Sequence, residues 1–196
     1  MSMIRKIRYL SHPQVVIDPS KDIQKWSLND VGTGRVKALA ESNALNGTTV
    51  VVSSAEMKAI ETARPVAEAL GCNVEIRERM HENDRSATGF LPPDEFEIVA
   101  DQFFANPGTS IRGWETAHAA QERIIGEFEC SLRSNPDGDV LFVGHGGVGT
   151  LLICHLKGWP ISREYDQGPG GGCYFEFTSG KPKGVSRWRP MEELMV

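Results

Sequence analysis

Residues 139–150 read DVLFVGHGGVGT. Val140, Leu141, Phe142 and Val143 form a run of strand-forming apolar residues, and Gly144 ends it. The following VGTLLICHL has helical spacing, which places His145 in a strand-to-helix turn. In open α/β sheets ligands bind beyond the carboxyl ends of the strands. An imidazole there either reacts or packs, and the ends of the other strands decide between the two.

The same alternation runs outward in both directions. IRKIRYL reads as part of a first strand beginning at Met3, stopped at SHP because proline cannot continue a central ladder. WSLNDVGTGRVKALAESNAL carries Leu28, Val31, Val36, Leu39 and Ala40 at helical spacing. TTVVVSS is a second strand, and AEMKAIETARPVAEALG an amphipathic helix closed by Gly71. NVEIRE gives a third strand, 80–92 a polar loop and 93–104 a helix opened by PPDE. A long helix follows in WETAHAAQERIIGEFECSLRS, with Ala117, Ala120, Ile124, Phe128 and Leu132 along one side. Beyond the strand at 139–144 and its helix lies the glycine-rich DQGPGGG, then CYFEF and GVSRW as a hairpin across TSGKPKG. Strands alternating with helices predict a three-layer α/β/α sandwich, its sheet mainly parallel with an antiparallel end. With no composition break, 1–196 reads as a single domain.

The chain has 196 residues, 40% hydrophobic and 24% charged, the make-up of a soluble globular protein. A net charge of −5 argues against a nucleic-acid binder but leaves room for a locally positive pocket. Four cysteines (Cys72, Cys130, Cys154 and Cys173) without a CxxC pair point to reduced thiols and a cytoplasmic setting. The start is too short and too charged for a signal peptide, and no apolar run approaches the ~20 residues that cross a membrane.

Three chemistries compete for the glycine turn. Gly144 to Gly149 fits GxGxxG formally, but a dinucleotide site needs an acidic residue ending a strand about 20 residues on. Asp166 lies near that distance, yet PISREYDQ is not a strand. An esterase oxyanion hole needs a GxSxG elbow, which is missing. The third reading takes the strand ends together. His12 ends the first strand as His145 ends the fourth, and Ser53 and Ser54 end the second with Lys58 in the next helical turn. Two imidazoles, a cation, close-approaching glycine and helix N-termini suit a phosphoryl group.

At these residues the sequence resembles the histidine phosphatase superfamily, with its phosphoglycerate-mutase-like fold. Four segments between residues 4 and 150 carry the likeness in the family's order: IRYLSHPQV, WSLNDVGTGRVKALA, VVVSSAEMKAIETARPVAEALG and LFVGHGGV. The resemblance implies that His12 is the nucleophile that becomes phosphorylated and that His145 donates to the phosphoryl oxygens. It places the general acid in the loop after the third strand. Glu82 of Met80-His81-Glu82 is the choice there, with Glu78 and Asp84 as competitors.

The sequence departs from the pattern where Ser-His-Pro stands in place of Arg-His-Gly and where Lys58 replaces an arginine. Serine is neutral and lysine a compact point charge, so the pocket lacks two guanidinium forks. Arg85 and Arg8 are the candidates to replace them, Arg85 the better placed because its loop carries Glu82. Ser11, Lys58, Arg85 and Gly146 are thus the expected phosphate-binding residues. His118 and His155 read as structural, and His81 as either solvent-facing or a neighbour of the acid.

The expected activity is hydrolysis of a small phosphomonoester through a phosphohistidine, without cofactor or metal. The alternatives are a mutase and a non-catalytic phospho-ligand binder. The expected partner is a small phosphorylated substrate, with no nucleic acid or membrane; oligomeric state is left open.

Overall fold

The computed structural model describes residues 4–181 and 184–196. Its apolar runs become one six-stranded sheet: β1 (Lys6–Ser11), β2 (Thr48–Ser54), β3 (Asn73–Arg77), β4 (Asp139–Gly144), β5 (Cys173–Thr178) and β6 (Arg189–Pro190). The strand order is β3-β2-β4-β1-β5-β6. The first four are mutually parallel where they pair, while β5 runs antiparallel to β1 and β6 antiparallel to β5. β2 and β4 lie inside the sheet and are covered on both faces, so they are apolar throughout rather than alternating.

Helices cover both faces. α1 (Asp30–Glu41) and α2 (Met57–Leu70) pack on one side, where Leu10, Val51, Leu141 and Val143 meet Val36, Leu39, Ala63 and Val66. α3 (Pro93–Ala105), α4 (Ala117–Ser134) and α5 (Gly146–Lys157) cover the other, where Tyr9, Val52 and Phe142 meet Phe103, Phe128 and Leu151. This is the α/β architecture expected from the alternation, antiparallel end included. Thr116 caps α4 by accepting from the Ala119 N–H, and Asn29 caps α1 through Gly32. Gly71 ends α2 in the left-handed region at φ 64°, where a Cβ would be strained.

Two local expectations change. Val31 lies in the first turn of α1 and is 58% exposed, while Leu28, before the helix, is buried through a bridge to Val15. The return after β5 pairs at Arg189–Pro190, beyond GVSRW, in which Ser186 bonds Glu176. Pro182 and Lys183 of the expected turn, and Met3 of the expected first strand, lie outside the described residues. Among the described residues no helix is long and apolar enough to cross a membrane. The four cysteines are free thiols.

The register delivers the strand ends to one edge. Ser11 pairs with Gly144 and Ser53 with Val143, so the residues after β1, β2 and β4 emerge side by side.

Candidate active site

His12 and His145 meet at that edge with ring centroids 5.3 Å apart and planes at 70°. The His12 N–H bonds the Gly144 carbonyl at 2.9 Å, which ties the two strand ends. His12 Nδ1 lies 2.8 Å from the Pro13 carbonyl oxygen. A carbonyl only accepts, so Nδ1 carries the proton and Nε2 keeps its lone pair. Burial first, then the Lys58 charge, lowers the His12 pKa to about 4. The ring is therefore neutral at pH 7.

His145 is fully buried. Tyr9 Oη accepts from the His145 backbone N–H at 3.0 Å and donates to its carbonyl at 3.1 Å. Its Nε2 is 2.9 Å from Ser54 Oγ and 3.6 Å from Glu56 Oε1, while Nδ1 has no partner among the described residues. Burial pushes its pKa down to about 4 against the opposing pull of Glu56 and Glu82. An orphaned buried ring nitrogen beside a free imidazole lone pair is an opening for a ligand.

The glycines around His145 leave space for other groups. A Cβ on Gly144 would overlap the Tyr9 hydroxyl, one on Gly146 the Gln167 amide, and one on Gly147 the Glu82 carboxylate. Glu82 occupies the start of α5: its oxygens accept from the Gly147 N–H at 3.1 Å and the Val148 N–H at 2.9 Å. It also accepts from the Asn83 N–H at 3.1 Å. The α5 donors expected to face an anion are thus partly taken by a carboxylate, which the positive helix end favours. The competitors lie elsewhere. Glu78 is exposed in a short 3-10 turn, and exposed Asp84 accepts from the Ser86 N–H at 2.9 Å.

Arg123 fixes the loop that carries Glu82. Its guanidinium grips Glu115 with two bonds, of 2.9 and 2.7 Å, and donates to the carbonyls of Arg79, His81 and Glu82. Neither Arg123 nor Glu115 was singled out from the sequence, because both fall in the stretch that reads as one helix with ordinary charge spacing; Glu115 precedes α4.

The phosphate-binding candidates separate. Buried Ser11 bonds Gln167 Oε1 and the backbone of Cys173, so it holds Gln167 beside Gly146. Lys58 donates to the Ile23 carbonyl and to Glu56. Burial by itself would raise the pKa of Glu56, but His145 and Lys58 hold it down at about 2. Arg8 does not reach the pocket. It is buried on β1 against Glu176 at 3.1 Å and Asp139 at 3.5 Å. Arg85 stacks over Phe96, 4.9 Å from the ring centroid, and lines the pocket with His12 and Lys58; no carboxylate pairs with it among the described residues.

The late glycine loop closes the other side. The Gly172 N–H bonds the His12 carbonyl at 2.9 Å, and a Cβ on Gly171, at φ 62°, would strike that oxygen. Asp166, the acid of the dinucleotide reading, accepts from Thr150 Oγ1 and the Gln167 N–H in an irregular segment. His118 and His155 are exposed on their helices, and His81 Nδ1 bonds the Glu82 carbonyl at 2.7 Å. Among the described residues no cluster of His, Cys, Asp or Glu is arranged to hold a metal.

The sequence profile of the histidine phosphatase superfamily (branch 1) matches residues 15–188, beginning just after His12. No curated protein matches the chain in sequence. Among solved structures, it is similar to a mycobacterial glucosyl-3-phosphoglycerate phosphatase, with a TM-score of 0.73 and 20% identity over 95% of this chain and 97% of that one. It is also similar to a phosphoserine phosphatase from Entamoeba histolytica bound to 3-phosphoglyceric acid. That TM-score is 0.72, at 14% identity over 98% of this chain and 100% of that one. At such identities the likeness is one of fold.

Proposed function

The chain belongs to the histidine phosphatase superfamily, and from that premise we propose that it hydrolyses a small phosphomonoester through a phosphohistidine on His12. The observation that carries this is the neutral His12 ring, its Nδ1 committed to the Pro13 carbonyl and its Nε2 unencumbered, beside His145 with an unpartnered Nδ1.

In this reading the Nε2 lone pair attacks phosphorus in line, the N–P bond forms, and the P–O bond to the alcohol breaks. In this reading Ser54 Oγ, which accepts from the Glu56 N–H at 3.3 Å, gives its own proton to His145 Nε2. That arrangement puts the His145 proton on Nδ1, as a donor to a phosphoryl oxygen. Arg85 supplies the cation, and Lys58 one remaining N–H of its three. The Gly146 N–H and the Gln167 amide, held by Ser11, complete the donors. Glu82 gives its proton to the departing alkoxide, then as carboxylate takes one from the water that cleaves the N–P bond. A carboxylate offers about four acceptor positions; three already take backbone N–H groups, leaving one for a proton in transit.

A second reading, a non-catalytic binder of phosphorylated ligands, is favoured by the Lys58–Glu56 pair, which cancels a charge where the family has an arginine. Rapid quenching with a labelled phosphodonor separates the two. The enzyme yields an acid-labile, base-stable adduct that disappears in His12→Ala. No adduct and no phosphate release, with phosphate still bound, establishes the binder.

A further inference from the structure

Two spaces of different character open from His12. One, of about 510 Å³, is mixed: Glu82, Asn83, Asp166, Gln167 and the 168–171 loop line it together with Phe96, Phe103, Phe104 and Trp114. The other, of about 300 Å³, is walled by Val15, Ile23, Trp26, Phe90, Leu91 and Phe96. Trp26 and Phe90 pack at 6.0 Å between centroids, and the Trp26 indole N–H is held by the Asp18 carbonyl at 2.9 Å, so it is not free to read a ligand. The charged side chains on this second space are Lys58, Arg85 and Glu97. Lys58 is paired with Glu56 and Arg85 lies across Phe96. Ile17 lines it too and is left 58% exposed.

Building on the phosphatase reading, we infer that the substrate is the phosphomonoester of an alcohol bearing an apolar, aromatic ring system, which enters this lobe while the phosphoryl group sits at His12. A sugar would present hydroxyls to a wall of aliphatic and aromatic carbon without partners, and the cations that could meet a glycerate carboxylate are committed, Lys58 to Glu56 and Arg85 to the phosphoryl group in this reading. A ring system finds edge and face contacts there instead. A cavity of about 150 Å³ holds benzene, so this lobe is sized for one or two rings. The larger space holds Glu82 and the amide groups of Asn83 and Gln167, and takes the water of the second step.

The test compares three primary alkyl phosphates with similar leaving alkoxides: ethyl phosphate, glycerol 3-phosphate and 2-(2-naphthyl)ethyl phosphate. The naphthyl ester should exceed ethyl phosphate in kcat/KM by about 10- to 100-fold, the range for burying an aromatic side chain. Phe90→Ala should bring that ratio toward one. Ile17→Asp, on an exposed residue whose replacement does not disturb the core, should also lower it. A wild-type ratio near one, or a preference for glycerol 3-phosphate, overturns the inference and leaves the phosphatase reading standing. If no ester is hydrolysed, calorimetric binding of the same compounds decides. Tighter binding of the naphthyl ester by that factor sustains the lobe while the hydrolytic reading falls, and equal or absent binding ends the inference.

Discussion

Lys58 donates to Glu56 at 2.5 Å, and the two side chains are only 5% and 6% exposed. Lys58, which the resemblance sets where an arginine is expected, is here one half of a buried ion pair. Glu56 also accepts the Glu82 backbone N–H at 2.9 Å and lies 3.6 Å from His145, so the pair joins both sides of the site.

Breaking this pair from one side should cost more than removing it. Lys58→Met leaves a buried carboxylate uncompensated, for which about 3–5 kcal/mol is typical. Adding Glu56→Gln should recover part of that loss in urea unfolding. Additive effects of the two changes would mean that they do not act as a unit.

Arg85 has no carboxylate partner among the described residues, so its charge is available to an anion. Arg85→Ala should weaken phosphate or vanadate binding about 10- to 100-fold, the worth of one charge-assisted hydrogen bond. Binding unchanged in titration calorimetry would confine Arg85 to its stack on Phe96.

Glu82→Gln should depress hydrolysis of alkyl phosphates far more than that of nitrophenyl phosphate, whose leaving group scarcely needs a proton. Gln offers one acceptor oxygen to the N–H groups of Gly147 and Val148, so a stability loss of about 1 kcal/mol should accompany it. An equal loss of rate on both esters would assign Glu82 to the helix start alone.

Stability should fall in mild acid, and His145 should be a main cause. Its folded pKa of about 4 lies below its ordinary 6.5, so between those values the unfolded chain holds a proton that the folded one lacks. Stability from this group is complete above about 6.5 and is lost as the pH falls through about 4, amounting to about 2 kcal/mol between pH 7 and pH 5. His12 adds in the same window, and Glu56 only lower, between about 4.5 and about 2. Urea midpoints of wild type and His145→Gln at both pH values check the sign. The variant should lose less, and parallel losses would place the titration elsewhere.

The parallel strands, the helices after them and the positions of His12 and His145 at strand ends were all legible in the sequence. Each rests on short-range rules: apolar runs where both sheet faces are covered, 3.6-residue spacing where one helix face is, and glycine where the backbone turns. Local rules also placed Glu82 and Arg85 in one loop. They did not reveal what reaches that loop from afar. Glu56 looked like the ordinary start of a helix; its pairing with Lys58, two residues on, is local, but it reaches His145 only because β2 and β4 pair side by side. Arg123 and Glu115 brace the Glu82 loop across more than 30 residues, and Ser11 holds Gln167 across 156. Arg8 looked available from its place in the chain. On β1 it shares the Leu10 face, and Glu176, its partner across the antiparallel strand, holds it with Asp139. Charge pairing is a property of neighbours in space, and strand order chooses those neighbours; spacing along a single segment carries no record of that order.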